Sequence, residues 1–175
     1  MLRVEGPNGS GKTTLLKILC GQIADVDGEV RWQGRALPRA RADLLANLLY
    51  LGHAPGIKAN LSALENLRWY QALGGEGRPD AELEAALAEV GLAGFEDVPT
   101  AQLSAGQKRR VTLARLVSSR RALWVLDEPF NALDTAATAW LEGLIRAQLL
   151  RGGSVVLTSH QGVALDDTPH QVLSL

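Results

Sequence analysis

The stretch GPNGSGKT at residues 6–13 decides how the rest of the chain is read. It matches the pattern G-x-x-x-x-G-K-T in full, and it stands between a strand and a helix, as that pattern requires. Ahead of it Leu2 and Val4 alternate with Arg3 and Glu5, the period of a short strand. Behind it Leu15, Leu16, Ile18 and Leu19 form the apolar face of a helix over residues 13–20, which Gly21 ends. Glycines let successive backbone N–H groups curl around a phosphate, and the helix N-terminus adds positive potential. The candidate phosphate-binding residues are therefore Gly6, Pro7, Asn8, Gly9, Ser10, Gly11, Lys12, Thr13 and Thr14. Lys12 is expected to reach the β- and γ-phosphates of ATP, and the Thr13 hydroxyl to ligate Mg²⁺.

Working outward, the runs at residues 122–126 and 154–158 are short, apolar and rich in Val and Leu. Such runs suit strands covered on both faces, as in a parallel sheet. Val30 and Trp32 mark a further strand, and residues 48–51 another before the break at Gly52. LWVLDE at 123–128 leaves Asp127 and Glu128 just beyond a buried strand, the Walker B arrangement. Asp127 is the expected holder of Mg²⁺ and Glu128 the base that orients and deprotonates the attacking water. The middle of the chain changes character. Ser62 and Glu65 have capping-box spacing, Asp80 is placed to cap a helix carrying Leu83, Leu87 and Val90, and residues 55–118 read as largely helical. A further helix-like stretch covers 136–150. The expected organisation is one α/β domain, with a helical subdomain at about 55–118 inserted into a catalytic core of 1–54 and 119–175.

Bulk properties add limits. A chain of 175 residues with a formal net charge of −1 has the size of one domain and no global attraction for nucleic acid or an anionic membrane. Cys20 is the single cysteine, which fits a small buried residue in a reducing compartment. The longest uncharged stretch, 44–57, is interrupted by Gly52, His53, Pro55 and Gly56 and falls short of the about 20 apolar residues a membrane helix needs. With residues 1–5 running straight into the glycine-rich loop, no signal peptide is expected.

The segment LSAGQ at 103–107, ahead of a Lys/Arg-rich helix, resembles the signature of ABC ATPases. Ser104 and Gln107 also have capping-box spacing, so the segment reads as a helix N-terminus with free N–H groups. Ser104, Gly106 and Gln107 are the candidate γ-phosphate contacts; the family pattern usually has Gly where Ala105 stands. The resemblance implies a P-loop NTPase with a mostly parallel, RecA-like sheet, and a dimer in which this signature closes over ATP held by a second copy. NALD at 131–134 corresponds to the family's D-loop, and His160 to the switch histidine that contacts the γ-phosphate.

Most ABC ATPases carry Gln, sensing Mg²⁺, where this chain has His53, so the resemblance implies His53 as a metal-site residue beside Thr13 and Asp127. That departure within YLGHAPGIKANLSALENL at 50–67, together with LAGFED at 92–97 and LWVLDEPFNALD at 123–134, looks like the ATPase of the bacterial cytochrome c maturation system. Membership of that family implies integral membrane subunits as partners, a peripheral place on the cytoplasmic face of the inner membrane, and work in heme export or heme-carrier release. No direct heme binding is expected of this subunit, and no nucleic acid. Another small bacterial exporter, or a nucleotide-binding regulatory module, is the alternative. Family members carry a further N-terminal segment that supplies antiparallel strands and an aromatic against adenine. Without it, Trp32 is expected to lack strand partners, and adenine a stacking platform worth about 1 kcal/mol.

Overall fold

The computed structural model describes residues 1–37, 39–75, 77–159, 165 and 168–175. These form two compact units, Met1–His53 with Arg121–Leu175, and Ala54–Arg120.

The first unit is built on a parallel sheet. Its strands are β1 (Leu2–Glu5), β4 (Leu48–Leu51), β5 (Leu123–Leu126), β6 (Ser154–Thr158) and β7 (Gln171–Ser174), in the order β4-β5-β6-β1-β7. Every neighbouring pair runs parallel. Trp124, Val125 and Leu126 are buried, as are Val155 and Leu157, which is why these segments read as apolar runs rather than alternating ones. Helices α1 (Lys12–Leu19), α2 (Arg41–Asn47) and α6 (Thr135–Leu150) complete the unit. Leu16 and Cys20 of the α1 region pack on Val125, with Tyr50 beside them. Burial pushes the Cys20 thiol up to about 12 and, with the charge of Asp127 adding to it, the Tyr50 phenol also to about 12.

The register decides what meets at the carboxyl ends of the strands. Leu51 pairs with Leu126 and Leu126 with Leu157, while Val4 of β1 pairs with Thr158. The chain therefore leaves β1, β4, β5 and β6 along one edge, where ligands of open α/β sheets bind.

Trp32 is not without a partner. β2 (Arg31–Trp32) and β3 (Arg35–Ala36) form an antiparallel ribbon with Trp32 opposite Arg35, because Gln33 and Gly34 both adopt positive φ, 49° and 77°, and so make a tight two-residue turn.

In the second unit, α3 (Ala63–Leu73), α4 (Asp80–Glu89) and α5 (Ala105–Val117) enclose Leu64, Leu67, Leu83, Leu87, Val111, Leu113 and Leu116. Both expected capping boxes form: Ser62 and Glu65 satisfy each other's backbone N–H groups, as do Ser104 and Gln107. Asp80 does not cap α4. Pro79 occupies the N-cap, and Asp80 is the first helical residue, its carboxylate accepting two bonds of 2.8 Å from Arg68. That guanidinium holds the Asp80 carboxyl below its ordinary value.

Candidate functional site

The loop after β1 is shaped by glycine. Gly9 and Gly11 have φ of 83° and 99°, a region that costs a side-chain-bearing residue about 1–2 kcal/mol. At Gly6 a Cβ would lie 2.6 Å from Ser10 Oγ and 2.9 Å from the Leu175 carbonyl. Gly11 is the N-cap of α1 and supplies no side-chain acceptor, so the first N–H groups of the helix are left for a ligand. Lys12 is nearly buried, 6% exposed. Its ammonium arches back over the loop and donates to the carbonyls of Gly6 at 2.8 Å and Pro7 at 2.9 Å. Ser10 Oγ is buried and, among the described residues, makes no hydrogen bond. A left-handed glycine cradle, an uncapped helix start and a buried hydroxyl awaiting a partner fit a polyphosphate.

The carboxylates lie where β5 ends. Asp127 is 2% exposed. Its Oδ2 accepts from Thr13 Oγ1 at 2.8 Å, its Oδ1 from Thr158 Oγ1 at 2.9 Å, and its backbone N–H donates to Leu51 O at 2.8 Å. Glu128 has φ of 50°, the left-handed region, which is rare for a residue with a side chain. Its N–H donates to Thr158 Oγ1 at 2.7 Å, and its carboxylate accepts from Asn131 Nδ2. His53 Nδ1 lies 3.8 Å from Glu128 Oε2, with the imidazole 75% exposed. The structure thus joins Thr13 to Asp127, and His53 and Asn131 to Glu128. His160 lies outside the described residues. Among the described residues no group of three or more His, Cys, Asp or Glu could hold a metal ion. The oxygens of Thr13 and Asp127, 2.8 Å apart, fit a site of Mg²⁺ type, which takes one or two protein oxygens and otherwise uses water and substrate phosphate.

The remaining candidates belong to the second unit. Ser104 and Gly106 are exposed at the start of α5, and Ser104 accepts from Gln107 N at 3.2 Å. The stretch 55–61 is pinned by residues that no motif marks. Thr112 donates to Pro55 O at 3.1 Å, Tyr70 to Gly56 O, and Thr100 to Lys58 O at 2.9 Å. Buried Asn66 donates to Lys58 O, Leu61 O and Ser62 O and accepts from Lys58 N at 2.7 Å. Thr158 and Asn66 escape sequence reading because their roles depend on partners that only the fold brings to them.

The ABC transporter family matches residues 1–131 of the chain. A cytochrome c biogenesis ATP-binding export protein CcmA of Saccharophagus degradans is 50% identical over 94% of this chain and 77% of that protein. The protein of the same name from Salmonella typhi is 54% identical over 91% of this chain and 76% of its own length. The chain belongs to the ABC transporter family, among its cytochrome c biogenesis ATP-binding export proteins. A solved ABC transporter ATP-binding protein from Pyrococcus furiosus superposes with a TM-score of 0.82 at 26% identity, covering 98% of this chain and 83% of that one. The α/β architecture is that of a P-loop NTPase, and the chain is an ABC-type, ATP-binding ATPase. As a member of an ABC export family it is the nucleotide-handling part of a transporter. No helix among the described residues is long and apolar enough to cross a membrane.

Proposed function

We propose that this ABC ATPase drives heme export or heme-carrier release in cytochrome c maturation, working as a dimer beneath integral membrane subunits at the cytoplasmic face of the inner membrane. Its cytochrome c maturation part rests on the likeness to the CcmA proteins, and its ATPase part on one contact: Thr13 of the phosphate loop and Asp127 of the strand-end pair, 114 residues apart in sequence, share a hydrogen bond of 2.8 Å.

In this reading the N–H groups of residues 9–13 bind the β- and γ-phosphates. Lys12 exchanges the carbonyls of Gly6 and Pro7 for phosphate oxygens. Thr13 and Asp127 hold Mg²⁺, which when bound neutralises charge on the phosphates. Glu128 accepts a proton from the attacking water, and Asn131 and His53 orient its carboxylate. His160 contacts the γ-phosphate. Ser104, Gly106 and Gln107 present the N-terminus of α5 to nucleotide on a second copy. The stretch 55–61, braced by Asn66 and Thr112, faces the membrane subunits.

Replacing Glu128 with Gln keeps the shape and removes the base. The expected outcome is loss of about 10²–10⁴-fold in turnover with ATP binding retained. Unchanged turnover would reject the assignment. Site-specific crosslinking from residues 55–61 tests the membrane partner, and absence of any crosslink there counts against it.

A further inference from the structure

We infer that Thr158 is a positioning residue for ATP hydrolysis: one hydroxyl sets both the orientation of the Asp127 carboxylate and the backbone of Glu128. The inference rests on the roles proposed above for those two residues.

Thr158 ends β6 and is fully buried. Its neighbours on either side are the strand leading into the phosphate loop, where Val4 pairs with it, and β5, whose last rung, Leu126 with Leu157, brings Asp127 level with it. A hydroxyl has one proton to give. Because Glu128 N–H already points at Thr158 Oγ1 from 2.7 Å, that proton is directed to Asp127 Oδ1 at 2.9 Å. The chain of donors therefore runs one way, from Glu128 N–H to the hydroxyl to the carboxylate, and it requires Asp127 to be an acceptor. Thr13 holds the other carboxylate oxygen. Thr13 would offer Mg²⁺ an oxygen lone pair while its proton stays on Asp127 Oδ2, so the two hydroxyls together, Thr13 on one oxygen and Thr158 on the other, fix the carboxylate plane.

The second half of the role concerns Glu128. Its φ of 50° is a conformation that persists only where surroundings enforce it. The bond from its N–H to Thr158 is one such constraint, and Asn131 on its carboxylate is another. Removing the Thr158 hydroxyl leaves the part-buried Glu128 N–H without this acceptor and lets the backbone relax, carrying the carboxylate away from the water it activates. Valine at 158 would keep the strand, the volume and the burial, so packing alone gives no reason for a hydroxyl here.

The test compares the full chain with Thr158→Val, Thr158→Ser and Glu128→Gln, measuring ATP turnover and, separately, binding of a fluorescent ATP analogue. Thr158→Val is expected to lower kcat by about 10- to 100-fold, the scale of a misplaced catalytic group, with KM and analogue affinity within about threefold of wild type. Thr158→Ser, which restores the hydroxyl, is expected to recover most of the lost kcat. Should the valine variant not fold, Thr158→Cys makes the same comparison with a weakly bonding thiol. If Glu128→Gln abolishes turnover while valine at 158 leaves kcat within twofold, or if serine fails to recover it, the positioning role is overturned and the parent reading stands. If Glu128→Gln itself leaves turnover unchanged, it is the parent reading that falls.

Discussion

Asn66 offers a quantitative test of how the stretch 55–61 is held. Its amide is fully buried. One end faces three carbonyls, Lys58 O at 3.1 Å, Leu61 O at 3.2 Å and Ser62 O at 2.9 Å, and the other faces the Lys58 N–H at 2.7 Å. Two N–H protons shared among three acceptors amount to two full bonds, and the Lys58 bond makes a third. At about 1 kcal/mol net for each bond, Asn66→Ala should cost about 3 kcal/mol. The carbonyls soften that loss, because Lys58 O keeps Thr100 Oγ1 at 2.9 Å and Leu61 O keeps Thr100 N at 2.9 Å. The Lys58 N–H adds to it by losing its acceptor, so about 2–4 kcal/mol is expected. Asn66→Asp sharpens the test. It matches the native shape but sets a carboxylate oxygen against three carbonyl oxygens, and should be less stable than the alanine variant. Urea unfolding followed by far-UV circular dichroism gives both values. A loss below about 0.5 kcal/mol for alanine, less than one net hydrogen bond, or an aspartate variant as stable as the alanine one, would refute the bracing argument.

Gly11→Ala places a methyl group on a residue with φ of 99°, where its surroundings are sterically open. The strain of about 1–2 kcal/mol should reshape the loop and weaken binding of a fluorescent ATP analogue by about tenfold or more. Ser104→Ala removes the side-chain cap of α5, costing about 1 kcal/mol in thermal or urea unfolding, and on the proposed dimer should lower turnover while leaving nucleotide binding to the isolated chain unchanged. Cys20, 1% exposed, should resist a thiol reagent in the native protein and react once urea unfolds it. With its folded pKa raised from 9.0 to about 12, the thiol contributes its full stability below pH 9 and loses it as pH climbs toward 12. Wild type should therefore lose more stability than Cys20→Ala between pH 9 and 11.

What could be read in advance followed burial. The bounds of β6 at 154–158 are legible because a strand packed inside the sheet shows as an apolar run, and those of β4 at 48–51 because Gly52 breaks the run. α2 was not legible: its Leu44 and Leu45 run directly through Asn47 into β4, and periodicity cannot divide a helix from a strand inside one apolar stretch. β7 escaped for the opposite reason, being a four-residue edge strand exposed throughout. Asp80 shows a limit of cap signals, because Pro79 has the extended backbone of an N-cap and Arg68 claims the carboxylate. At the candidate site, Thr13 and Asp127 stand out in the sequence as motif members expected to share Mg²⁺, while the hydrogen bond between them is visible only in the fold. Thr158 carried no such mark, since a threonine closing a strand is ordinary until its neighbour strand is known.

The β5–β6 register also makes residue count matter more than residue type. One residue added to or removed from the turn at 151–153 would slide β6 by a rung, pointing Thr158 to the opposite face of the sheet and away from Asp127. Loop grafts and length variants should therefore be tolerated poorly at this turn, where Gly153 already lies so close to Gln148 that an added Cβ would meet its carbonyl at 2.8 Å. They should be tolerated well between α3 and α4, where the chain has no strand alignment to keep.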